Sequence, residues 1–385
     1  MQIDLADIEA RELLPYRVDR PMMTNTVCLI VTNRCNISCD YCFNFVQEAR
    51  GWEDMSPATA VGVLQELARY HAVHTSRPFT PHIIFFGGEP TLNQPVIDGV
   101  MKYINANHID CIPRLVTNGV MSSSLLDKLI DEMFYFQVSY DGAEENLRHY
   151  KGSNVSPSAQ VIRTLKRISQ AGLPIFIRAT IHAGNVNSMK DIVRFSAEHG
   201  AATVAFAPLA TMGNALNTRI QRPDITAYVE NYFAALEQAL AVGVSLYSAE
   251  MDEFRHQGRP FAPPLVVLPD GQIAFSIKYA SSNMPGAMDF MAGHFQNGKS
   301  EGAIAFFEER IRQAARNVIL NQKCFCSRCS AFEYCRGRRM YDLFSANATA
   351  KEYDAYYCSL SRQIMERLPQ YMERLSQTDQ GNRVF

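Results

Sequence analysis

Short apolar segments alternate with longer segments of helical periodicity between residues 24 and 243. Apolar runs of this length, followed by amphipathic helices, are typical of parallel β/α units. The predicted strands are residues 26–32, 82–86, 114–117, 134–139, 174–180 and 203–207. The predicted helices lie near residues 57–72, 93–106, 122–131, 157–171, 187–199 and 223–242. The alternation predicts an α/β fold in which six units form a partial (β/α)6 TIM-like barrel.

The pattern changes after residue 243. Residues 265–275 predict a hairpin whose turn is Pro269-Asp270-Gly271, and a helix is predicted near residues 301–320. Apolar and charged positions then alternate at helical spacing from 359 to 376, which predicts a C-terminal helix packed on the protein. The patterns divide the chain into an N-terminal extension (1–23), a partial-barrel core (24–243), a small α+β domain (244–360) and a C-terminal helix or tail (361–385).

The composition is that of a globular chain with a large core. The 385 residues are 47% hydrophobic and 20% charged, and the net charge is −2. This near-neutral balance argues against nucleic acid as an obligatory partner. No apolar run reaches the length of a membrane span, and the acidic start lacks the features of a signal peptide. We therefore expect a cytoplasmic protein without a membrane partner.

Seven of the ten cysteines fall in two tight groups, which in a large chain of this kind indicates metal sites rather than disulfides. The first group is Cys35, Cys39 and Cys42, spaced C-x3-C-x2-C just after the first predicted strand. Three thiolates leave one iron of a [4Fe–4S] cluster open, and that iron can chelate a small molecule carrying an amine and a carboxylate. A zinc site is the alternative, although zinc prefers four ligands in paired arrangements.

Glycine and polar residues follow the ends of the next predicted strands, where chemistry gathers in barrels of this kind. The second strand ends in Gly87-Gly88-Glu89-Pro90, in which glycines allow a close backbone approach to a ligand and Glu89 offers a carboxylate to an ammonium group. Asn118 follows the third strand, Ser139 ends the fourth, and Arg178 lies in the fifth. The alternatives are ordinary turn chemistry around Asn118 and a surface charge at Arg178.

Together these motifs resemble the radical SAM superfamily, whose signature is the same cysteine spacing with an aromatic residue, here Tyr41, before the third cysteine. The resemblance implies that Cys35, Cys39 and Cys42 hold a [4Fe–4S] cluster that binds S-adenosylmethionine. The cofactor contacts that it implies are Gly87, Gly88, Glu89 and Pro90 at the amino group, Asn118 and Ser139 at the ribose or methionine part, and Arg178 at the carboxylate. Residues 206–209 would form a wall for the adenine.

The implied reaction is reductive. S-adenosylmethionine is cleaved to methionine and a 5′-deoxyadenosyl radical, which removes a hydrogen atom from the substrate, while the protein supplies position and electrostatics. An electron donor such as a flavodoxin or ferredoxin is implied as a partner.

The second cysteine group resembles the auxiliary-cluster extension of these enzymes, known as SPASM or twitch. Cys326, Cys329, Cys335 and Cys358 match the ligands of its outer [4Fe–4S] cluster. The inner cluster has no counterpart, because its ligand positions hold Ser276, Arg339 and a stretch without cysteine between residues 112 and 323. The resemblance thus implies two clusters, with a structural zinc site as the alternative for the second group. Cys324 is left over as a solvent-facing thiol, a hydrogen donor or another ligand.

The implied substrate is a peptide or protein, because most enzymes with this extension modify peptides, as in the maturation of ribosomally made peptides. Crosslinking suits an auxiliary cluster with four protein ligands, whereas sulfatase maturation is disfavoured because Ile277 stands where that group has an acid. The alternatives are a small-molecule dehydrogenase or epimerase acting on a sugar or aminoglycoside, and an electron-transfer protein without catalysis. The candidates to face the substrate, each also readable as a solvated surface charge, are Glu250, Asp252, Glu253, Arg255, His256 and Lys278.

Overall fold

The computed structural model describes residues 25–44, 53–142, 147–255, 264–279, 291–295, 303–309, 329–331, 334 and 355–376. Its strands are β1 (Thr26–Thr32), β2 (Ile37–Cys39), β3 (His82–Gly87), β4 (Ile112–Thr117), β5 (Tyr135–Ser139), β6 (Arg148–Tyr150), β7 (Ile175–Ile181), β8 (Ala201–Pro208), β9 (Ser245–Tyr247), β10 (Leu265–Val267), β11 (Gln272–Ala274) and β12 (Met291–His294). Its helices are α1 (Pro57–His74), α2 (Gln94–Ala106), α3 (Ser123–Asp131), α4 (Ser158–Gln170), α5 (Met189–Glu198), α6 (Asn214–Thr218), α7 (Ile225–Val242), α8 (Ala249–Arg255) and α9 (Ala355–Ser376).

Ten of these strands form one sheet in the order β12-β11-β10-β1-β3-β4-β5-β7-β8-β9. In this order, all neighbouring strands between β10 and β9 pair in parallel. Strand β11 pairs in antiparallel fashion with β10 on one side and with β12 on the other. The six predicted strands are β1, β3, β4, β5, β7 and β8, which lie next to one another in chain order, so their predicted arrangement is confirmed. Because they are parallel, their carboxyl ends meet at one edge.

The predicted hairpin is confirmed as β10 and β11, with Gly271 in the turn at a φ of 89°. Strand β10 pairs with β1 and places Leu265 opposite Val27. Strand β9 extends the other side of the sheet by pairing with β8. Strands that follow residue 243 therefore continue the sheet of the core, and the predicted domain boundary at that residue stays a prediction.

Strand β7 shows how the sequence pattern sets the two faces of the sheet. Its residues Ile175, Ile177, Ala179 and Ile181 are buried, whereas Arg178 and Thr180 face a cavity on the other side. The buried face packs on two apolar clusters, one formed with helices α1 to α4 and the other with α5, α7 and α9. Both clusters arise because each helix carries one apolar face.

The predicted C-terminal helix is α9, and it packs on α7 as expected. Leu360, Ile364 and Leu368 lie in the shared apolar cluster, and Arg367 forms an ion pair with Glu230 of α7 at 2.6 Å. Near the start of α9, the Tyr357 hydroxyl donates to the carbonyl of Leu209 at 3.0 Å, just after the end of β8.

Some predicted segments lie partly or wholly outside the described residues. Among them are the N-terminal extension 1–23, the last residues of the C-terminal segment 361–385 and most of the helix near 301–320, of which residues 303–309 are helical. Among the described helices, none is both long enough and apolar enough to cross a bilayer.

Candidate active site

A cavity of about 690 Å³ opens at the carboxyl ends of the parallel strands. Its volume is within the range of small-molecule and cofactor sites. The predicted site residues that line it are Cys35, Cys39, Tyr41, Cys42, Gly87, Gly88, Asn118, Ser139 and Arg178. Side chains and backbone from β1, β3, β4, β5 and β7 are thus brought together although they span more than a hundred residues of sequence.

The three cysteines of the first group lie in a loop that follows β1 and is held by a small second sheet. Strand β2, which includes Cys39, pairs in antiparallel fashion with β6, and Cys39 lies opposite Arg148. The backbone N–H of Cys42 donates to the carbonyl of Cys39 at 3.1 Å, which closes the turn between these two ligand candidates.

Helix α6 covers the same loop from the far end of the sheet. The backbone N–H of Asn214 donates to the carbonyl of Cys42 at 2.9 Å, and its Nδ2 donates to the carbonyl of Cys39 at 3.1 Å. Gly213 has a φ of 59°, and a Cβ there would lie 2.4 Å from the Cys42 oxygen. Only glycine allows this approach, so the Gly213-Asn214 pair fixes two backbone carbonyls of the cysteine loop.

Burial dominates the electrostatics of the three thiols. It raises the pKa of Cys35, raises that of Cys39 well above its ordinary value, and raises that of Cys42 to about 12. The charges of Cys35 and Cys42 raise the pKa of Cys39 further, because the sulfurs lie close enough to repel as thiolates. A cation bound between them would reverse this balance, as expected for a metal site.

The three cysteines of this loop border a shared space. An iron–sulfur cubane takes each thiolate at a different iron, so its ligands surround a space of this kind. Cys35, Cys39 and Cys42 border one cavity, and Asn118 Nδ2 approaches the Cys35 sulfur at 3.6 Å.

The adjacent glycines Gly87 and Gly88 allow the end of β3 to pack directly against the backbone of residues 32–34. A Cβ on Gly87 would lie 2.1 Å from the Thr32 carbonyl oxygen, and one on Gly88 would lie 2.1 Å from the Arg34 carbonyl oxygen. The Gly88 N–H donates to Thr32 O at 2.9 Å. The sequence predicted glycine for approach to a ligand, and the structure adds a second reason, because β3 must pass against the backbone that leads into Cys35.

Glu89 lies beneath the cavity rather than on its wall. The residue is fully buried, and its carboxylate accepts hydrogen bonds from Thr117 Oγ1 at 2.9 Å, Asn118 N at 2.8 Å and Thr91 Oγ1 at 2.7 Å. Burial raises the pKa of Glu89, and these hydrogen bonds oppose the shift. Pro90 is also buried and begins a single turn of 3-10 helix. The carboxylate thus joins the ends of β3 and β4, and the predicted contact of Glu89 with a cofactor amine stays a prediction.

The polar residues on the remaining strand ends face the cavity. Asn118 accepts from Val120 N at 2.8 Å through Oδ1 and donates to Asn36 Oδ1 at 2.8 Å, so its side chain points toward the cysteine loop. Ser139 and Arg178 are neighbours in register on β5 and β7. Arg178 is exposed to the cavity, where a guanidinium can bind a carboxylate.

Tyr41 is anchored to the end of β5. Its hydroxyl donates to Oδ2 of Asp141, and Asp141 Oδ1 accepts from the N–H of Thr180 at 2.7 Å. The aromatic residue before the third cysteine therefore ties the cysteine loop to β5 and β7 while its side chain lines the cavity.

The opposite wall comes from segments after residue 206. The predicted adenine wall, residues 206–209, lines the cavity, as do Glu250 and Lys278 from the group of candidate substrate contacts. Ser276, which stands at the place of a missing cluster ligand, lies on this wall, and α9 contributes Tyr357. Asp252 is half-buried and is not part of the wall, and His256 lies outside the described residues.

Sequence reasoning missed two residues of the site. Arg148 lines the cavity beside the cysteines, and Asn214 binds their backbone. Gly213 was a usable local signal, since glycine is common where the chain needs a positive φ. Nothing local marks Arg148, because its position depends on the pairing of β6 with β2.

The second cysteine group is described only in part. Cys329 packs on the apolar cluster of α5, α7 and α9, and Cys358 lies on α9 next to the cavity residue Tyr357. Cys324, Cys326 and Cys335 lie outside the described residues. The predicted second cluster therefore stays a prediction.

Comparison with known families places the site in context. Residues 29–196 match the Radical SAM superfamily, a span that includes the cysteine loop and the strand ends up to Arg178. This match confirms the predicted resemblance.

Two relatives extend the comparison. The chain is 26% identical over 215 residues to the PqqA peptide cyclase of Rhodopseudomonas palustris. The aligned region covers 55% of this chain and 54% of the relative. It is 25% identical over 215 residues to that of Bradyrhizobium diazoefficiens, with the same coverage. The chain spans about half the length of these curated relatives.

Solved structures show the same fold. The structure of native anSMEcpe with bound AdoMet superposes with a TM-score of 0.69 at 16% identity and covers 92% of this chain and 100% of that chain. Streptococcus suis SuiB bound to S-adenosylmethionine has a TM-score of 0.55 at 16% identity, covering 88% of this chain and 77% of that chain. The likeness confirms the predicted fold class.

Proposed function

Because residues 29–196 match the radical SAM superfamily, we propose that this chain binds S-adenosylmethionine on a [4Fe–4S] cluster held by Cys35, Cys39 and Cys42 and modifies a peptide or protein. When bound, such a cluster would pass one electron to S-adenosylmethionine, whose cleavage to methionine would yield the 5′-deoxyadenosyl radical that removes a hydrogen atom from the substrate. An external reductant, a flavodoxin or ferredoxin, supplies that electron.

The observation that carries the proposal is the shared cavity. Three half-buried thiols, two glycines of one strand end and the guanidinium of Arg178 line the same space of about 690 Å³. Each of these groups has a distinct task toward one ligand: thiolates hold iron, and a guanidinium binds a carboxylate. An electron-transfer protein without catalysis would need no open space beside its cysteines.

Residues at the strand ends bind successive parts of the cofactor along the cavity. The backbone at Gly87 and Gly88 supports the methionine end beside the cysteine loop, and Arg178 binds its carboxylate. Asn118 and Ser139 contact the ribose or methionine part. Residues 206–209 wall the adenine on the opposite side. All these residues except Arg178 are buried or half-buried.

The wall beyond the cofactor is suited to a peptide. It combines aromatic surface from Tyr247 and Tyr357 with the charged groups of Glu250 and Lys278. Glu250 is buried and accepts a hydrogen bond from Ser361 Oγ at 2.7 Å, so its carboxylate is fixed at the wall. Apolar surface with a few placed polar groups is the usual makeup of a binding site. The named activity of the relatives, peptide cyclase, points to the same substrate class.

A second cluster at Cys326, Cys329, Cys335 and Cys358 completes the proposal. Cys358 follows Tyr357, a residue that lines the cavity, on α9. We expect that cluster to accept an electron from the substrate radical, which would give oxidative products such as a crosslink.

The test is cofactor cleavage by the anaerobically reconstituted protein. With dithionite, the wild type should convert S-adenosylmethionine to 5′-deoxyadenosine, and the variant with Cys35, Cys39 and Cys42 all replaced by Ala should form none. Cys111→Ala is the matched control, because this half-buried thiol lies at the opposite end of the strands. Undiminished 5′-deoxyadenosine in the triple variant would overturn the proposal.

A further inference from the structure

Arg148 is placed beside the cysteine loop by strand pairing. Strands β2 and β6 form a two-stranded sheet in which Cys39 and Arg148 are partners. The N–H of Asp40 donates to the carbonyl of Leu147 at 2.9 Å, which continues the pairing beyond the strands. The position of Arg148 relative to Cys39 is therefore set by backbone hydrogen bonds.

The side chain of Arg148 is buried on the cavity wall. Only 2% of the residue is exposed, although it lines the same cavity as the three thiols. Its Nη1 donates to the carbonyl of Ser139 at 2.6 Å, which fixes the guanidinium at the end of β5. A guanidinium keeps its charge in a protein, and a buried charge is costly unless negative charge lies near it.

Other cations of the cavity lie closer to solvent. Lys151 and Arg178 are exposed and Lys278 is half-buried, although all three line the cavity. Arg148 combines burial with a register position opposite Cys39, so its charge is screened less than theirs.

We propose that Arg148 stabilises the reduced, more negative state of the cluster held by Cys35, Cys39 and Cys42, and so determines how readily that cluster accepts an electron. The inference rests on the proposed function. In the step concerned, an external donor loses one electron and the iron–sulfur site gains it, with no bond made or broken. A fixed positive charge in a site of low dielectric favours the state with the extra negative charge.

The experiment is a redox titration of the full-length, anaerobically reconstituted protein, followed by electron paramagnetic resonance. The signal of the first cluster is identified by its change when S-adenosylmethionine is added. Arg148→Gln and Arg148→Met should each lower the equilibrium constant for reduction about tenfold, which is about 59 mV for one electron. Arg148→Lys keeps the charge and should shift this constant less than either neutral variant.

The matched control is Lys151→Gln. It removes one positive charge from the same cavity, but Lys151 is exposed to solvent, so its charge is screened and the shift should be smaller than for Arg148→Gln. Iron content and thermal midpoint of every variant establish that the compared proteins are folded and loaded.

Each outcome decides the inference. An unchanged potential in a neutral variant that holds its iron overturns it, and so does an equal shift in Lys151→Gln. If neither neutral variant assembles the first cluster but Arg148→Lys does, the positive charge is required and the inference is supported. If all three Arg148 variants fail to assemble it, the guanidinium is structural and the inference is wrong. Wild-type protein without the first cluster would instead refute the proposed function.

Discussion

The backbone N–H of Asn118 donates to Oε2 of Glu89 at 2.8 Å and so joins the ends of strands β3 and β4 beneath the cavity. Oε1 of the same carboxylate accepts from the hydroxyls of Thr91 and Thr117. Both oxygens are therefore engaged by the protein, and the carboxylate supports the strand ends on which cofactor contacts are proposed. A buried carboxylate of this kind has consequences for stability at different pH values.

The first prediction concerns this pH dependence. Burial raises the pKa of Glu89 above 4.5, its value in the unfolded chain, so the folded protein favours the protonated acid. Stability contributed by Glu89 is then fully present below pH 4.5 and is lost as pH rises through the folded pKa. The stability advantage of wild type over Glu89→Gln should shrink from below pH 4.5 toward neutrality, as measured by urea unfolding of the metal-free proteins.

The control for this comparison is Glu237→Gln, which removes an exposed carboxylate on α7. Its stability difference from wild type should vary less with pH over the same range. A wild-type advantage over Glu89→Gln that grows with pH would show that the hydrogen bonds outweigh desolvation.

The second prediction concerns Gly88. A methyl group there would lie 2.1 Å from the Arg34 carbonyl oxygen, and backbone atoms cannot move aside without displacing the loop that leads to Cys35. Gly88→Ala should lower the free energy of unfolding by about 1–3 kcal/mol and reduce the iron bound after reconstitution. In the control Gly184→Ala, the nearest atoms belong to the His182 ring, so the change should be about 0.5 kcal/mol or less. Equal stability of the two variants would contradict the packing argument.

The third prediction is the metal content. Four thiolates at Cys326, Cys329, Cys335 and Cys358 would complete a second cubane, so reconstituted protein should bind about eight irons per chain. Replacement by Ala of Cys35, Cys39 and Cys42 should leave about four irons per chain. Replacement of Cys326, Cys329 and Cys335 should do the same. Twelve irons, or zinc together with only four irons, would show that the second group has been misassigned.

The fourth prediction concerns the product. A crosslink forms when the substrate radical attacks a second group of the same peptide and loses one electron and one proton. Together with the hydrogen atom already removed, the peptide loses two hydrogens. Mass spectrometry of a short peptide encoded beside this protein, co-expressed with it, should show that loss, and the variant without Cys35, Cys39 and Cys42 should not produce it.

Other results would redirect the substrate assignment. Uptake of deuterium from heavy water without a mass loss in light water would indicate epimerisation of the peptide. Turnover of a sugar or aminoglycoside, with every tested peptide unchanged, would refute the peptide class while leaving the cofactor chemistry in place.

Features that depend on near neighbours in the chain could be predicted from the sequence. Strand β1 has its predicted bounds because apolar periodicity depends on the pleat of one segment. The spacing of Cys35, Cys39 and Cys42 within one loop likewise carries its chemistry locally. The order of six parallel strands followed from their alternation with helices, and with it the edge at which the site lies.

The tertiary structure alone decided which distant groups meet that loop and how deeply they are buried. Arg148 reaches Cys39 through an antiparallel pairing across more than a hundred residues, and Asn214 reaches it from still further along the chain. Glu89 stands at a motif position that suggested a ligand contact, yet its carboxylate lies under the cavity wall. Pairing and burial of this kind are properties of the assembled sheet, because desolvation and charge interactions depend on distances in space that no local spacing encodes.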